Sequence, residues 1–211
     1  MKHPKSSLAA LAAVLTLGLH AAATAGAASP ASVSLSSARV SIAGTSNIHP
    51  YTASTNDVRV VRVQIATTVA GGDWADVLTP GAIGAFELSI PAATLSSPRE
   101  GIDKTMHKAL KVAEFPEITF RLSRLEAAAA PAAYRGVGML RIAGVEREVT
   151  LELKTRRNES TLTVRGETQL LMTDYGITPP KAMLGMLKTD PRITVTFETE
   201  LTMAAAPVST N

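Results

Sequence analysis

The chain has 211 residues, 45% of them hydrophobic, with one Trp, three Tyr, four Phe, no Cys and a formal charge of +3. Without cysteine there is no disulfide, no thiolate nucleophile and no Cys-ligated metal, so packing and hydrogen bonds must hold the fold. The basic excess is small, and no Lys/Arg cluster is interleaved with aromatics, which excludes nucleic acid as an expected partner.

Residues 1–27 have the layout of a secretory signal peptide. Met1-Lys2-His3-Pro4-Lys5 is basic, Leu8 to Leu19 is apolar, and Ala25-Gly26-Ala27 is an Ala-x-Ala cleavage site. The apolar run falls short of the roughly 20 residues a spanning helix needs, and Thr16, Gly18 and His20 interrupt it. Cleavage is expected after Ala27, with Ala23 and Ala25 as rival sites, and the periplasm is the expected destination, full secretion being the other. No Cys follows the apolar run to carry a lipid anchor, and no other segment is apolar enough for a stable membrane span. Loss of Lys2 and Lys5 lowers the charge from +3 to +1, and loss of His3 and His20 leaves His49 and His107 as the only imidazoles. The remaining length fits one domain. It reads as a flexible Ala/Ser-rich lead-in over 28–37, a folded domain over 38–203 and a disordered Ala/Pro/Ser/Thr tail over 204–211.

From there the chain reads mostly as strands of period two. Arg39 to Ala43 alternates, Val58 to Ile65 is rich in β-branched residues, and Gly71-Gly72-Asp73 marks a turn. Phe86, Leu88 and Ile90 share one face of a strand that ends at Pro91, and Ile118, Phe120 and Leu122 share one face of another. Gly138 to Ala143, a turn at Gly144, and Val149 to Lys154 form a hairpin pattern that puts Leu140 and Ile142 on one face. Ser160 to Met172 and Ile193 to Leu201 complete the set, with Phe197 on the apolar side of the last. Threonines and charges on the opposite face suit an antiparallel sheet with one wet side.

Two segments have helical features instead. In Ile102 to Lys111, Ile102, Met106 and Leu110 stand four apart, and the pattern stops before Phe115-Pro116. Pro180 to Lys188 has Pro at or near a first helical position and carries Met183, Met186 and Leu187. Ala127 to Ala133 reads as a loop between strands. Many short strands, no long helix and no alternation of strand with helix predict an all-β sandwich or closed barrel.

The order of motifs is then distinctive. Gly44-Thr45-Ser46-Asn47-Ile48-His49 closes the first strand, Asp103-Lys104-x-Met106 lies in the helical segment, and Phe115-Pro116-Glu117-Ile118-Thr119-Phe120 follows. Gly138-x-Leu140-x-Ile142-Ala143-Gly144-Val145-x-Arg147 and Met172-Thr173-Asp174-Tyr175-Gly176-Ile177 come after. In this order the chain resembles the YceI-like family of exported, lipocalin-like proteins over about residues 38–203. The resemblance implies an antiparallel β-barrel of lipocalin type, with two short helical insertions near one end. It also implies an apolar channel for a long polyisoprenoid, a quinone or another amphiphilic lipid, and no shared catalytic site. Two features depart from the family's commonest form: His49-Pro50-Tyr51, where an acidic residue and an aromatic are usual, and the stretch from Val69 to Gly84, which looks like a loop private to this chain.

The residues expected at the ligand follow from the two readings together. Phe86, Leu88, Phe120, Leu140, Ile142 and Phe197 are the inward strand positions. Met106, Leu110, Met172, Met183 and Leu187 lie in or beside the helical insertions, where methionine offers adaptable apolar surface. His49 and Tyr175 are the polar contacts for a head group at the barrel mouth. His49 has a second reading as a structural imidazole at a strand end, Asp174-Tyr175-Gly176 as a backbone turn, and His107 as an exposed helix residue. Two His without acidic residues at ligand spacing make no metal site, and no bound cofactor is expected beyond an isoprenoid lipid or quinone. Ser46, His49 and Asp103 or Asp174 could be nominated as a hydrolase triad, but no Gly-x-Ser-x-Gly elbow exists. Glu146/Glu148 and Glu198/Glu200 alternate along strands and read as a solvated face. A lipid-binding barrel is therefore preferred over a filled barrel acting through its outer surface, and over a hydrolase. A homodimer is left open.

Overall fold

A computed structural model describes residues 32–66, 73–182 and 186–204. The expected signal peptide, the Gly71-Gly72 turn residues, Met183 and residues 205–211 lie outside the described residues. The strands are β1 (Ser32–Ser46), β2 (Pro50–Thr55), β3 (Arg59–Ile65), β4 (Ile83–Pro91), β5 (Glu117–Ala127), β6 (Ala133–Ile142), β7 (Val145–Asn158), β8 (Thr161–Leu171), β9 (Lys181–Ala182) and β10 (Leu187–Ala204). Two helices accompany them, α1 (Trp74–Val77) and α2 (Glu100–Ala109), with 3₁₀ turns at Ala92–Thr94 and Met172–Tyr175.

Every strand pairing is antiparallel, and the sheet order is β2-β1-β10-β8-β7-β6-β5-β4-β3, with β9 paired to the start of β10. The two ends of this path, β2 and β3, are consecutive in the chain and joined by residues 56–58. The sheet must therefore curl until its ends meet, giving the lipocalin-like barrel. Beyond the end of β4, Ser54 and Ser96 exchange backbone hydrogen bonds of 2.8 and 3.0 Å across the seam. Irregular register in β1, β3 and β5 marks bulges, which bend a strand and increase its twist.

Alternation along each strand sets the two faces. Inward side chains are mostly Val, Leu, Ile and Phe. Outward arginines and carboxylates pair across the sheet, as in Arg135–Glu152 and Arg165–Glu198 on directly opposed residues. These pairs are exposed and contribute little each. Glu146, Glu148 and Glu198 all belong to this outer layer. The β6–β7 hairpin turns at Ala143 (φ 48°) and Gly144 (φ 83°), the two left-handed residues a tight hairpin turn requires.

Four local features differ from the sequence reading. β1 begins at Ser32, so much of the expected lead-in is strand: Ser32 to Leu35 pair with the end of β10, and Val33 and Leu35 pack on the core. β2 went unread, because Tyr51 is the one large apolar side chain among its Thr, Ser, Ala and Pro residues. The expected helix over 180–188 is instead the β9–β10 hairpin, with Lys181 opposite Lys188 and Ala182 opposite Leu187. Asn47 holds that hairpin open, accepting from Lys188 N and donating to Met186 O, both at 2.8 Å. This satisfies backbone groups that a helix would otherwise bond internally. Last, the apparent loop from Val69 to Gly84 contains α1. Asp73 caps it by accepting from Ala75 N at 2.7 Å, and Trp74, Val77 and Leu78 turn into the barrel.

Trp74 is 1% exposed and packs with Leu162, Leu201 and Met203 as the stopper at one end of the barrel. Truncating a buried aromatic costs about 3–5 kcal/mol. Trp74→Ala is expected to lower the unfolding free energy by that amount, read as a lower urea midpoint with little change in slope; an unshifted midpoint would show that α1 does not seal the core.

Candidate functional site

The end of the barrel opposite Trp74 is built from three pieces. The first is α2. Ser97 organises its start, its hydroxyl accepting from Arg99 N and donating to Arg99 O, while Ser97 N donates to the Asp103 carboxylate at 2.7 Å. Ile102, Met106, Ala109 and Leu110 form the helix face turned to the interior. His107 is half-buried rather than exposed: its Nε2 lies 2.8 Å from Leu95 O and pins α2 to the segment after β4.

The second piece is the 3₁₀ turn Met172–Tyr175, ended by Gly176 at φ 66°. The turn reading of Asp174-Tyr175-Gly176 and a place for Tyr175 at the cavity both apply. Tyr175 is 3% exposed and lines the interior with Met172 and Ile177. Burial, then the nearby Asp174, pushes its phenol up to about 12, against an opposing pull from Arg147. Tyr51, on β2, is also raised, by burial first and Asp190 second. Both hydroxyls, and Trp74 Nε1 at the far end, are buried without a hydrogen-bond partner.

The third piece is the β1–β2 turn. Ser46 Oγ donates to His49 O at 2.8 Å and accepts from His49 N at 3.1 Å, so its hydroxyl is committed to the backbone of its own turn. The His49 ring faces Pro50 O through Nδ1 and the Arg99 guanidinium through Nε2, at 3.2 and 3.4 Å. The hydroxyl–imidazole contact that the hydrolase reading needs is not among these bonds. Among the described residues no group of three or more potential metal ligands occurs.

Two cavities fill the interior, of about 310 Å³ below α2 and about 190 Å³ toward Trp74. Val40, Ile90, Leu140 and Val195 line both, so the two are stacked along one channel. Along β10 the channel wall runs from Thr189 to Leu201. At roughly 3.3 Å per residue and a strand tilt near 40° that is about 30 Å of barrel axis. Charged or imidazole side chains line only the upper cavity, Lys181 and His49; the lower has Thr, Tyr and Trp as its sole polar residue types. A channel that is apolar throughout and more polar at its mouth fits a chain with one polar head.

Large rings remain in this channel without closing it. Phe197 lies opposite Gly166 and its ring occupies the space a Cβ there would take; the Phe120 ring does the same at Gly138. Glycine lets each ring lie flat on the wall, so the centre stays open.

The sequence-derived site residues fall as follows. His49, Met106, Leu110, Ile142, Met172 and Tyr175 line the upper cavity, Phe86, Leu88, Phe120 and Phe197 the lower, and Leu140 both. Met183 and the Leu187 side chain lie outside the described residues; Leu187 opens β10. Val40, Ile90 and Val195 were legible as inward strand positions but were not singled out. Tyr51 and Trp74 were missed, although Asp73 before the only Trp is a capping signal.

The fold and this site define a lipocalin-like barrel with an open apolar channel. The chain belongs to the YceI-like family: the model of the YceI-like domain matches residues 31–201. No match was found among curated protein sequences. Among solved structures it is similar to BcnA of Burkholderia cenocepacia, at 15% identity and TM-score 0.61, covering 77% of this chain and 95% of that one. A polyisoprenoid binding domain from Saccharophagus degradans, implicated in plant cell wall breakdown, matches at 13% identity and TM-score 0.56, covering 84% and 100%. The YCEI protein of Campylobacter jejuni matches at 14% and 0.51, covering 74% and 82%.

Two predictions follow from the geometry. Tyr175 ionises near pH 10 when unfolded and only near 12 when folded, so its contribution to stability is complete below pH 10 and lost between pH 10 and 12. Tyr175→Phe should flatten that alkaline decline while costing little at pH 7, since the hydroxyl has no partner; identical unfolding curves against pH would contradict this. Separately, Gly166→Val should drive the Phe197 ring into the channel, at an overpacking cost of about 1–3 kcal/mol, and abolish uptake of an apolar fluorescent probe.

Proposed function

We propose that this protein binds a long isoprenoid-type lipid, a polyprenol or a quinone, inside the barrel and carries it through the periplasm. The observation that carries the reading is the pair of stacked apolar cavities with a shared wall at Val40, Ile90, Leu140 and Val195. Each methylene buried contributes about 0.8 kcal/mol, so a long chain gains enough from burial to offset its ordering. Specific contacts are needed only at the head group. His49, Tyr51, Tyr175 and Lys181 supply them at the mouth. The polyisoprenoid binding domain among the similar structures supports this choice of ligand class.

A binding role is favoured over a catalytic one, because Ser46 is bonded to its own turn and the His49 ring to Pro50 O and Arg99 rather than to a nucleophile. The signal pattern over 1–27 supports export. Among the described residues no helix is long and apolar enough to cross a membrane.

Native mass spectrometry and solvent extraction of protein purified from its own host test the reading. A co-purifying prenyl lipid is expected. No bound lipid, together with no affinity for added polyprenols or quinones, would refute it. Leu140→Arg places a charge in the wall common to both cavities and should remove the lipid or unfold the chain. Fractionation of the host and N-terminal sequencing test the address; mature protein in the cytoplasm with an intact leader would rule it out.

A further inference from the structure

We propose that the mouth of the barrel is a docking face for an anionic bilayer surface. Among the described residues four large apolar side chains are exposed, and three of them stand at this one end: Ile48 (57%), Met186 (66%) and Leu171. Ile48 follows Asn47, whose side chain and backbone bond to Met186 O and Lys188, so the β1–β2 turn is tied to the start of β10. Leu171 ends β8 and reaches the rim of the upper cavity. Ile48, Met186 and Leu171 thus form an apolar arc beside the opening.

Exposed lysines flank this arc. At the mouth Lys104 and Lys108, on the exposed side of α2, and Lys188 on the hairpin are exposed and form no ion pair among the described residues. Lys104 and Lys108 stand four apart on a helix, where like charges repel, and Asp103 beside Lys104 is bonded to Ser97 N. Protein interfaces favour aromatics and Arg and disfavour Lys, and none of the exposed apolar residues here is aromatic. Exposed lysines flanking projecting aliphatic side chains are the chemistry of a surface that lies on anionic headgroups. Docked this way, the channel opens toward the bilayer. The inference rests on the lipid-carrier reading for its purpose, but the docking itself does not depend on cargo.

Flotation of the full mature chain with phosphatidylcholine vesicles, with and without phosphatidylglycerol, tests the proposal. Binding is expected to rise with phosphatidylglycerol and fall with salt. Each basic residue near such a surface contributes about fivefold, so Lys104→Gln/Lys108→Gln/Lys188→Gln should weaken binding at least about tenfold. Ile48→Ser/Met186→Ser should lower binding to vesicles while leaving thermal unfolding unchanged. No flotation, indifference to phosphatidylglycerol, or wild-type binding by both variants would overturn the proposal. Vesicle binding by a protein that never co-purifies with lipid would defeat the carrier reading alone.

Discussion

β2 and β3 lie at opposite ends of the sheet order and yet are neighbours in the chain, joined by residues 56–58. That covalent tie is the constraint on which the rest depends. An open twisted sheet would leave one face to be covered by another layer. Here the sheet covers its own face, and every strand has an inside and an outside fixed by the pleat. The inside then has a volume set by strand number and tilt, not by how many side chains are available to fill it. With glycines under Phe120 and Phe197, the available side chains do not fill it, and the channel follows.

The two ends of the barrel solve different problems. The Trp74 end is closed by a short capped helix whose apolar residues join Leu162, Leu201 and Met203. The opposite end is roofed by α2 and by the β1–β2 turn tied to the start of β10 through Asn47, and it carries the channel's imidazole and lysine. Closure at one end and polarity at the other give the channel a direction. In the proposed role, a lipid bound tail-first toward Trp74 would keep its head among His49, Tyr51 and Tyr175, with no charged residue among those lining the lower cavity. The outer surface takes no part in this: its ion pairs are exposed, and the energy of the fold lies in the apolar interior.

Sequence reading reached the strands where alternation was strong. β4, β5, β6 and β10 were legible because Phe86, Leu88, Phe120, Leu140, Ile142 and Phe197 fall two apart with polar residues between. α2 was legible because Ile102, Met106 and Leu110 fall four apart. Reading failed where local chemistry is ambiguous. Pro180 to Lys188 satisfies a helix start on composition, but its backbone partners are Asn47 and the neighbouring strand, more than a hundred residues away in sequence. β2 carries little apolar alternation because its inward positions are Tyr51, Ala53 and Thr55, and β1 begins in Ser-rich sequence because β10 supplies its pairing.

The sequence by itself determined the cysteine-free antiparallel β class, the period-two separation of apolar from polar faces, the export signal as an expectation, and the family. These are local properties, carried by residue type and spacing. Only the tertiary structure decided that the inward residues enclose a channel rather than a solid core. It also decided that the His49 ring meets Arg99 while the Ser46 hydroxyl meets the backbone of its own turn, and that one Trp closes the far end. Each of these turns on which side chains meet across strands distant in sequence, and in particular on where a ring lies flat against a glycine, which spacing along the chain does not encode.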